Sequence, residues 1–251
     1  MKFENIRVMN FENAFRGMRN PKNSWHLSDS AFGLWSDKIS IIPTPIVNKT
    51  LSEWKDEPAP DWQILYRDEI EPSLYEYAAI GPKDMKLAKT LVKAGSEHRK
   101  FMRQIFVSVD ITAPLYIWKE IDTYKVGTVA NSCSTMHTIT KHPITIENIS
   151  TADLREKDIK NIEEKWLPIL NEIVNDESLS ALEKTRILSK MNLVGFEQKR
   201  TIKLNYQVIK NMNVWRMGHK LKEWRVLINV YFKNLPYVES LFFRNPYLKN
   251  K

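Results

Sequence analysis

The sequence predicts an α+β fold with a helical C-terminal half. Residues 104–112 (QIFVSVDIT) alternate and are rich in β-branched side chains, which is the pattern of a strand. From residue 152 onward, apolar side chains recur at helical spacing in successive stretches. A proline-rich segment, residues 26–80, separates these regions from a short N-terminal strand.

Taken in order, Ile6 and Val8 mark the first strand, followed by the basic segment AFRGMRNPKNSW. Residues 26–80 read as loop-rich: Pro43, Pro45, Pro58, Pro60 and Pro72 lie within, and Pro21 and Pro82 flank them. Long loops of this kind are often functional arms or interface segments. Met85, Leu87, Ala88, Leu91 and Val92 fall at helical spacing after Pro82, with Gly95 placed to end the helix. Beyond the 104–112 strand, Pro114 suits the first turn of a helix running to about Lys125, and residues 126–150 read as irregular. Residues 152–175 carry Ile159, Ile162, Trp166, Ile169, Leu170 and Ile173 at helix period. Ser180 and Glu183 form a capping-box pattern for a helix ending near Leu193. Residues 203–213 and about 218–234, the latter stopped before Pro236, complete the helical half.

With 251 residues and 43% hydrophobic content, the chain can bury a sizeable core. Mean hydropathy is −0.42, and no apolar run is long enough to cross a bilayer or to form the core of a signal peptide. One cysteine, Cys133, excludes an internal disulfide and a cysteine-rich metal site, so a cytoplasmic location is expected. The net charge of +8 suits a phosphorylated ligand or a nucleic acid, but Lys and Arg are dispersed rather than gathered in a tail. Most of the eight tryptophans are expected as core or interface anchors.

The seven glycines form neither a G-x-G-x-x-G pattern nor a P-loop, and neither H-E-x-x-H nor C-x-x-C occurs. No metal site is expected. Four separated segments carry a different signal. Within residues 97–137, the run RQIFVSVDITAPLYIWKEIDTYKVGTVANSCSTMH sets Ala113-Pro114 before Glu120 and then Thr123, Tyr124 and Lys125. TRILSKMNL occupies residues 185–193, NYQVIKNMNVWR residues 205–216, HKLKEW residues 219–224, and AFRGMR residues 14–19.

In this order the segments resemble the flavin-dependent thymidylate synthases, the ThyX family. The family pattern A-P-x-x-x-x-x-Q-x-x-R-H-R-x-x-S-x-N-E-x-S-x-R-Y meets Ala113 and Pro114, then Glu120 in place of Gln. Thr123, Tyr124 and Lys125 stand in place of R-H-R, and Thr128 stands in place of the first Ser. Beyond that point two registers are open: Asn131 on Glu with Cys133 on the second Ser, or Asn131 on Asn with Ser134 on Ser. Arg186 matches A-R-I-x-L-P-x-N-L. Asn205, Asn211 and Arg216 match N-x-R-x-x-x-N-x-x-x-x-R, with Gln207 replacing the arginine. HKLKEW is similar to the family's H-A-Q-W-E, and AFRGMR to a segment near its flavin site.

The resemblance implies one ThyX-like domain over residues 1–251, with a central, mostly antiparallel sheet, flanking helices and an insertion at about 26–80. It implies a homotetrameric flavoprotein methyltransferase of dTMP biosynthesis. Such an enzyme methylates dUMP with methylenetetrahydrofolate, using FAD reduced by NADPH. Arg216 is then the expected catalytic residue, and Arg186, Arg216, Glu120 and Ser134 the expected substrate ligands. Asn205, Gln207, Asn211, Tyr124, Lys125 and Asn131 are expected at the cofactor. Spaced eleven apart, Asn205 and Arg216 should share a helix face. Thr-Tyr-Lys in place of R-H-R removes two planar donors, and neither register restores the final arginine of the pattern. The resemblance therefore implies weaker dUMP binding, for which Lys119, Lys141 or Arg19 are candidate substitutes. The altered arm leaves two alternatives open: changed pyrimidine-nucleotide chemistry such as hydroxymethylation, or a non-catalytic basic protein binding nucleotide or nucleic acid.

Overall fold

The computed structural model describes residues 1–36, 39–41 and 75–243. These residues form an α+β fold whose chain divides into two compact units. The first comprises Met1–Ile6, Ser108–Lys203 and His219–Trp224; the second comprises Arg7–Val107, Leu204–Gly218 and Arg225–Lys251.

The first unit is built on a four-stranded sheet in the order β1-β5-β7-β6, with β1 Lys2–Met9, β5 Phe106–Pro114, β6 Val129–Ser132 and β7 Glu197–Asn205. β6 and β7 are antiparallel, with Asn131 opposite Thr201. Asp110 on β5 ties that strand to its neighbours on both sides, β1 and β7. It accepts from Thr201 Oγ1 at 2.6 Å and Asn5 Nδ2 at 2.9 Å, and these bonds hold its carboxyl below the usual range. Helix α3 (Leu115–Ile121) follows β5 directly from Pro114, and Trp118 within it is fully buried. Beside them, Ile139, Ile144, Ile149, Leu167, Leu170, Val174 and Leu188 make an aliphatic core. It is assembled from α6 (Leu167–Asn175), α7 (Ala181–Met191) and the segment before α5 (Glu156–Asn161). A π-helical turn, Ile162–Trp166, joins α5 to α6. Ser180 and Glu183 close the expected capping box on α7.

The second unit has an aromatic core. Phe11 and Phe15 on α1 (Phe11–Arg19) meet Tyr206 at 5.8 Å and Phe101 at 5.8 Å between ring centres, both edge-on. Edge-to-face pairs of this kind add about 0.5–1.5 kcal/mol beyond their buried area. The Tyr206 hydroxyl donates to Pro236 O at 2.5 Å. Helix α2 (Pro82–Ala94) ends at Gly95, whose φ of 119° is a conformation glycine adopts without strain. At its start, Gly81 is required by contact, because a Cβ there would lie 2.2 Å from Asp29 O. Helix α8 (Tyr206–Arg216) precedes α9 (Lys222–Val226), a π-helical turn Leu227–Phe232, and α10 (Val238–Phe242).

The structure corrects several sequence expectations. The ends of the loop-rich 26–80 segment form three strands, β2 (Ala31–Ser36), β3 (Ile39–Ile41) and β4 (Tyr75–Ala79), paired antiparallel in the order β3-β2-β4. Residues 42–74, with most of the expected loop, lie outside the described residues. The helix after Pro114 ends at Ile121, not near Lys125, because Asp122 and Thr123 close its last turn and the chain leaves it. Residues 126–150 hold a strand, β6, and a short helix, α4 (Thr135–Thr138). Residues 203–205, expected as helix, end strand β7, and α8 runs to Arg216. Lys and Arg hide the alternation in β7: Ile202 and Leu204 are buried, while Arg200 covers the Trp118 ring at 4.5 Å. Trp118 and Trp224 are core residues as expected, but Trp25, Trp166 and Trp215 are not, and Trp215 is 75% exposed.

Candidate functional site

In the first unit, Tyr116 and Glu120 lie one turn apart on α3, so both point from the same face. The Glu120 carboxylate accepts from the Trp224 indole Nε1 at 2.7 Å and lies 3.6 Å from His219 Nε2. Trp224 is fully buried, and its ring is 6.1 Å from that of Tyr124 and 6.2 Å from that of His219. Next to it, the Tyr116 hydroxyl and the Ser150 hydroxyl (3.1 Å) both donate to Glu223 Oε1. Glu223 is buried, so these donors fix a carboxylate that would otherwise be costly to hold out of water. The sequence placed HKLKEW in the motif set without assigning its side chains. The structure shows His219 and Trp224 on Glu120, and Glu223 on Tyr116.

Burial and the Glu223 carboxylate push the Tyr116 hydroxyl well above the ordinary tyrosine range. A phenol whose folded pKa is raised stays protonated while tyrosines of the unfolded chain ionise. Its stabilisation is therefore complete below pH ~10 and is lost as pH climbs above it. We expect stability measured by urea unfolding to fall from about pH 10 upward. Tyr116→Phe should flatten that alkaline slope, and an unchanged slope would rule the assignment out.

The arm leaves α3 through Asp122, which pairs with Arg200 at 3.0 Å. Lys125 and Asn131 are exposed, and Asn131 stands on β6. Ser134 heads α4, which meets the helix of Arg186: Ser189 Oγ lies 3.4 Å from Met136 Sδ. The structure thus brings the Ser134 end of the arm and the Arg186 helix together, with Arg186 on the exposed side of α7. Lys119 and Lys141 are exposed.

Arg19 cannot act as a substitute for the missing arm arginines. Its guanidinium is buried against Asp84, with Nε at 2.6 Å, and also donates to Ser24 O and Leu27 O. Ser28 and Ser30 saturate the other Asp84 oxygen, each at 2.5 Å. Its donors are engaged in holding the second unit together.

Helix α8 carries the remaining expected residues. Asn205 is its N-cap, accepting from Val208 N at 3.1 Å. Gln207 accepts from Arg99 Nε at 2.9 Å and donates to Asn211 Oδ1 at 2.8 Å. Gln207 and Asn211 share a face, being four apart. Arg216 lies about 140–180° around the helix from them, at about 100° per residue. The helix therefore presents two polar faces rather than one, and Arg216 stands half-buried on the second, beside exposed Val214 and Trp215. Arg99 was not singled out in the sequence, because it lies far from α8 along the chain and only folding brings it to Gln207.

The whole chain matches a known architecture. Over 97% of this chain and 98% of the other, it superposes on flavin-dependent thymidylate synthase ThyX from Helicobacter pylori, complexed with FAD and dUMP, with TM-score 0.60 and 13% identity. The fold is ThyX-like. A second structure of the Helicobacter pylori ThyX with FAD and dUMP gives TM-score 0.57 at 12% identity over 96% of this chain and 98% of that one. The UMP/dUMP methylase PolB from Streptomyces cacaoi, bound with 5-Br dUMP, gives 0.50 at 12% identity over 66% of this chain and 83% of that one. No family model and no curated protein matches the sequence. Among the described residues of this ThyX-like chain, no cluster of His, Cys, Asp and Glu could hold a metal ion, and no helix is long and apolar enough to cross a membrane.

Proposed function

We propose that this protein is a flavin-dependent methylase of pyrimidine nucleotides that converts dUMP to dTMP. In this reading it uses methylenetetrahydrofolate and NADPH and works as a cytoplasmic homotetramer with one ThyX-like domain per chain. The observation that carries the reading is the likeness of fold along 97% of the chain to a synthase holding FAD and dUMP. The ordered spacing of Asn205, Asn211 and Arg216 supports it.

The side chains of α8 suit FAD. The oxygens of Gln207 and Asn211 each accept from a protein donor, and one Gln207 N–H and the Asn211 amide N–H groups stay available to an acceptor-rich ligand. FAD, when bound, would carry the hydride that completes the methyl group. In the second unit, Asn205, Gln207 and Asn211 are the proposed cofactor contacts, and Arg216 the group that stabilises negative charge developing on the uracil. In the first unit, Arg186 is proposed to grip the nucleotide phosphate in a bidentate pair, and Glu120 and Ser134 to contact the nucleotide. Tyr124, Lys125 and Asn131 are the proposed cofactor contacts of the arm.

Purified protein, reconstituted with FAD and freed of excess, should absorb near 450 nm and form dTMP from dUMP with both co-substrates. A protein that takes up no flavin would refute the reading. Changed pyrimidine chemistry is the second reading. It is favoured by Glu120, whose carboxylate is engaged by Trp224 and His219 where the family pattern has Gln. Mass spectrometry of products from dUMP, UMP and dCMP decides between them: dTMP alone supports the first reading, and a hydroxymethylated or cytosine product the second.

A further inference from the structure

We propose that Arg99 is an anion-binding residue, placed by Gln207 to supply from a separate segment the guanidinium that α8 lacks at position 207, with the diphosphate of a dinucleotide as its ligand. Naming that dinucleotide as FAD rests on the proposed function; the anion edge itself rests on the geometry.

Three side chains form a directional chain. Arg99 Nε donates to Gln207 Oε1 at 2.9 Å, and Gln207 Nε2 donates to Asn211 Oδ1 at 2.8 Å. The direction matters because it engages both amide oxygens inside the chain. The N–H groups left outside the chain are the guanidinium edge of Arg99, the second Gln207 N–H and the Asn211 amide, while each amide oxygen already accepts one bond within it. Arg99 is also anchored by Nη1 to Val92 O at 3.5 Å. Among the described residues it has no carboxylate partner.

Gln207 is buried, Arg99 half-buried and Asn211 exposed, so the chain runs from the interior of its unit to the surface. A row of donors around a fixed guanidinium matches a phosphate or diphosphate and repels a cation. Where the resembling pattern has an arginine, Gln207 thus stands with its oxygen holding Arg99. The resembling helix carries its cation on α8 itself, whereas here it is carried on the turn ahead of Lys100–Arg103.

The test is equilibrium binding of three probes to the full chain: FAD, ADP and riboflavin, the last lacking any phosphate. Arg99→Ala should weaken FAD and ADP by about tenfold or more and leave riboflavin within twofold, as expected for loss of a charge-assisted pair. Adding Gln207→Arg to Arg99→Ala should restore most of the affinity. Asn211→Asp, on an exposed position that does not disturb the core, should also weaken FAD and ADP by placing a negative charge on the edge. If the wild type binds ADP with this Arg99 dependence but takes up no FAD, the flavin reading fails and the anion edge stands. If Arg99→Ala and Asn211→Asp bind FAD and ADP like the wild type, the inference fails while the flavin reading stands. Equal weakening of riboflavin, or a wild type that binds neither FAD nor ADP, also overturns it.

Discussion

Asp84→Ala is expected to lower the thermal midpoint by about 6–20 °C, the largest stability effect of any single substitution considered. Asp84 is fully buried and Arg19 nearly so. One Asp84 oxygen accepts from the Arg19 guanidinium, the other from the hydroxyls of Ser28 and Ser30. Removing the carboxylate leaves the guanidinium buried with no opposing charge, which costs about 3–5 kcal/mol. For a chain of this size each kcal/mol moves the midpoint by about 2–4 °C. The pair also ties α1 to α2 and to the turn before β2, so its loss loosens three segments of the second unit at once. Replacing both partners by hydrophobic residues of similar volume should do much less damage than removing either alone, because no unpaired charge then remains. A calorimetric shift below ~3 °C for Asp84→Ala would show that the pair is not a stabilising element.

This pair illustrates why parts of the molecule were legible in the sequence and others were not. Local signals survived folding with their bounds shifted by about two residues, the strand expected at 104–112 lying at Phe106–Pro114 and the helix expected to end near Leu193 ending at Met191. Ser180 with Glu183, Gly95 after an amphipathic run, and the β-branched alternation of 104–112 all became the elements they predicted, because neighbouring residues alone determine them. Strand β7 stayed hidden because its charged residues are held by partners distant in sequence, with Arg200 on Trp118 and Asp122, and Lys199 on Glu4 and Asp110. For the same reason Arg19, read as a spare cation near a ligand, is a core residue: only the fold supplies Asp84. The arm gives the reverse lesson. Its motif matched poorly, yet Glu120 and Tyr124 both sit at Trp224, which the sequence placed in another segment.

Arg216→Ala is expected to reduce kcat/KM for dTMP formation from dUMP by about 10²–10³, the loss typical when one donor to a developing negative charge is removed. Arg216 ends α8 and is half-buried. A cation in the last turn contributes about 0.3–1 kcal/mol through the helix dipole, an effect on stability and not on the turnover of folded protein. The two roles therefore separate cleanly. A residue that only favours the helix end would lower the midpoint by about 1–4 °C and leave the turnover of folded protein unchanged. A residue that stabilises charge on the base would lower kcat far more than it raises KM, because that charge exists only in the transition state. Arg216→Lys keeps the charge but loses the planar fork, and should fall between wild type and alanine. Since Arg216 faces away from Gln207 and Asn211 on α8, its replacement should leave FAD affinity within about twofold, at most ~0.4 kcal/mol. If Arg216→Ala keeps turnover within threefold of wild type, or if its activity loss is matched by an equal loss of bound FAD, the catalytic assignment of Arg216 is wrong.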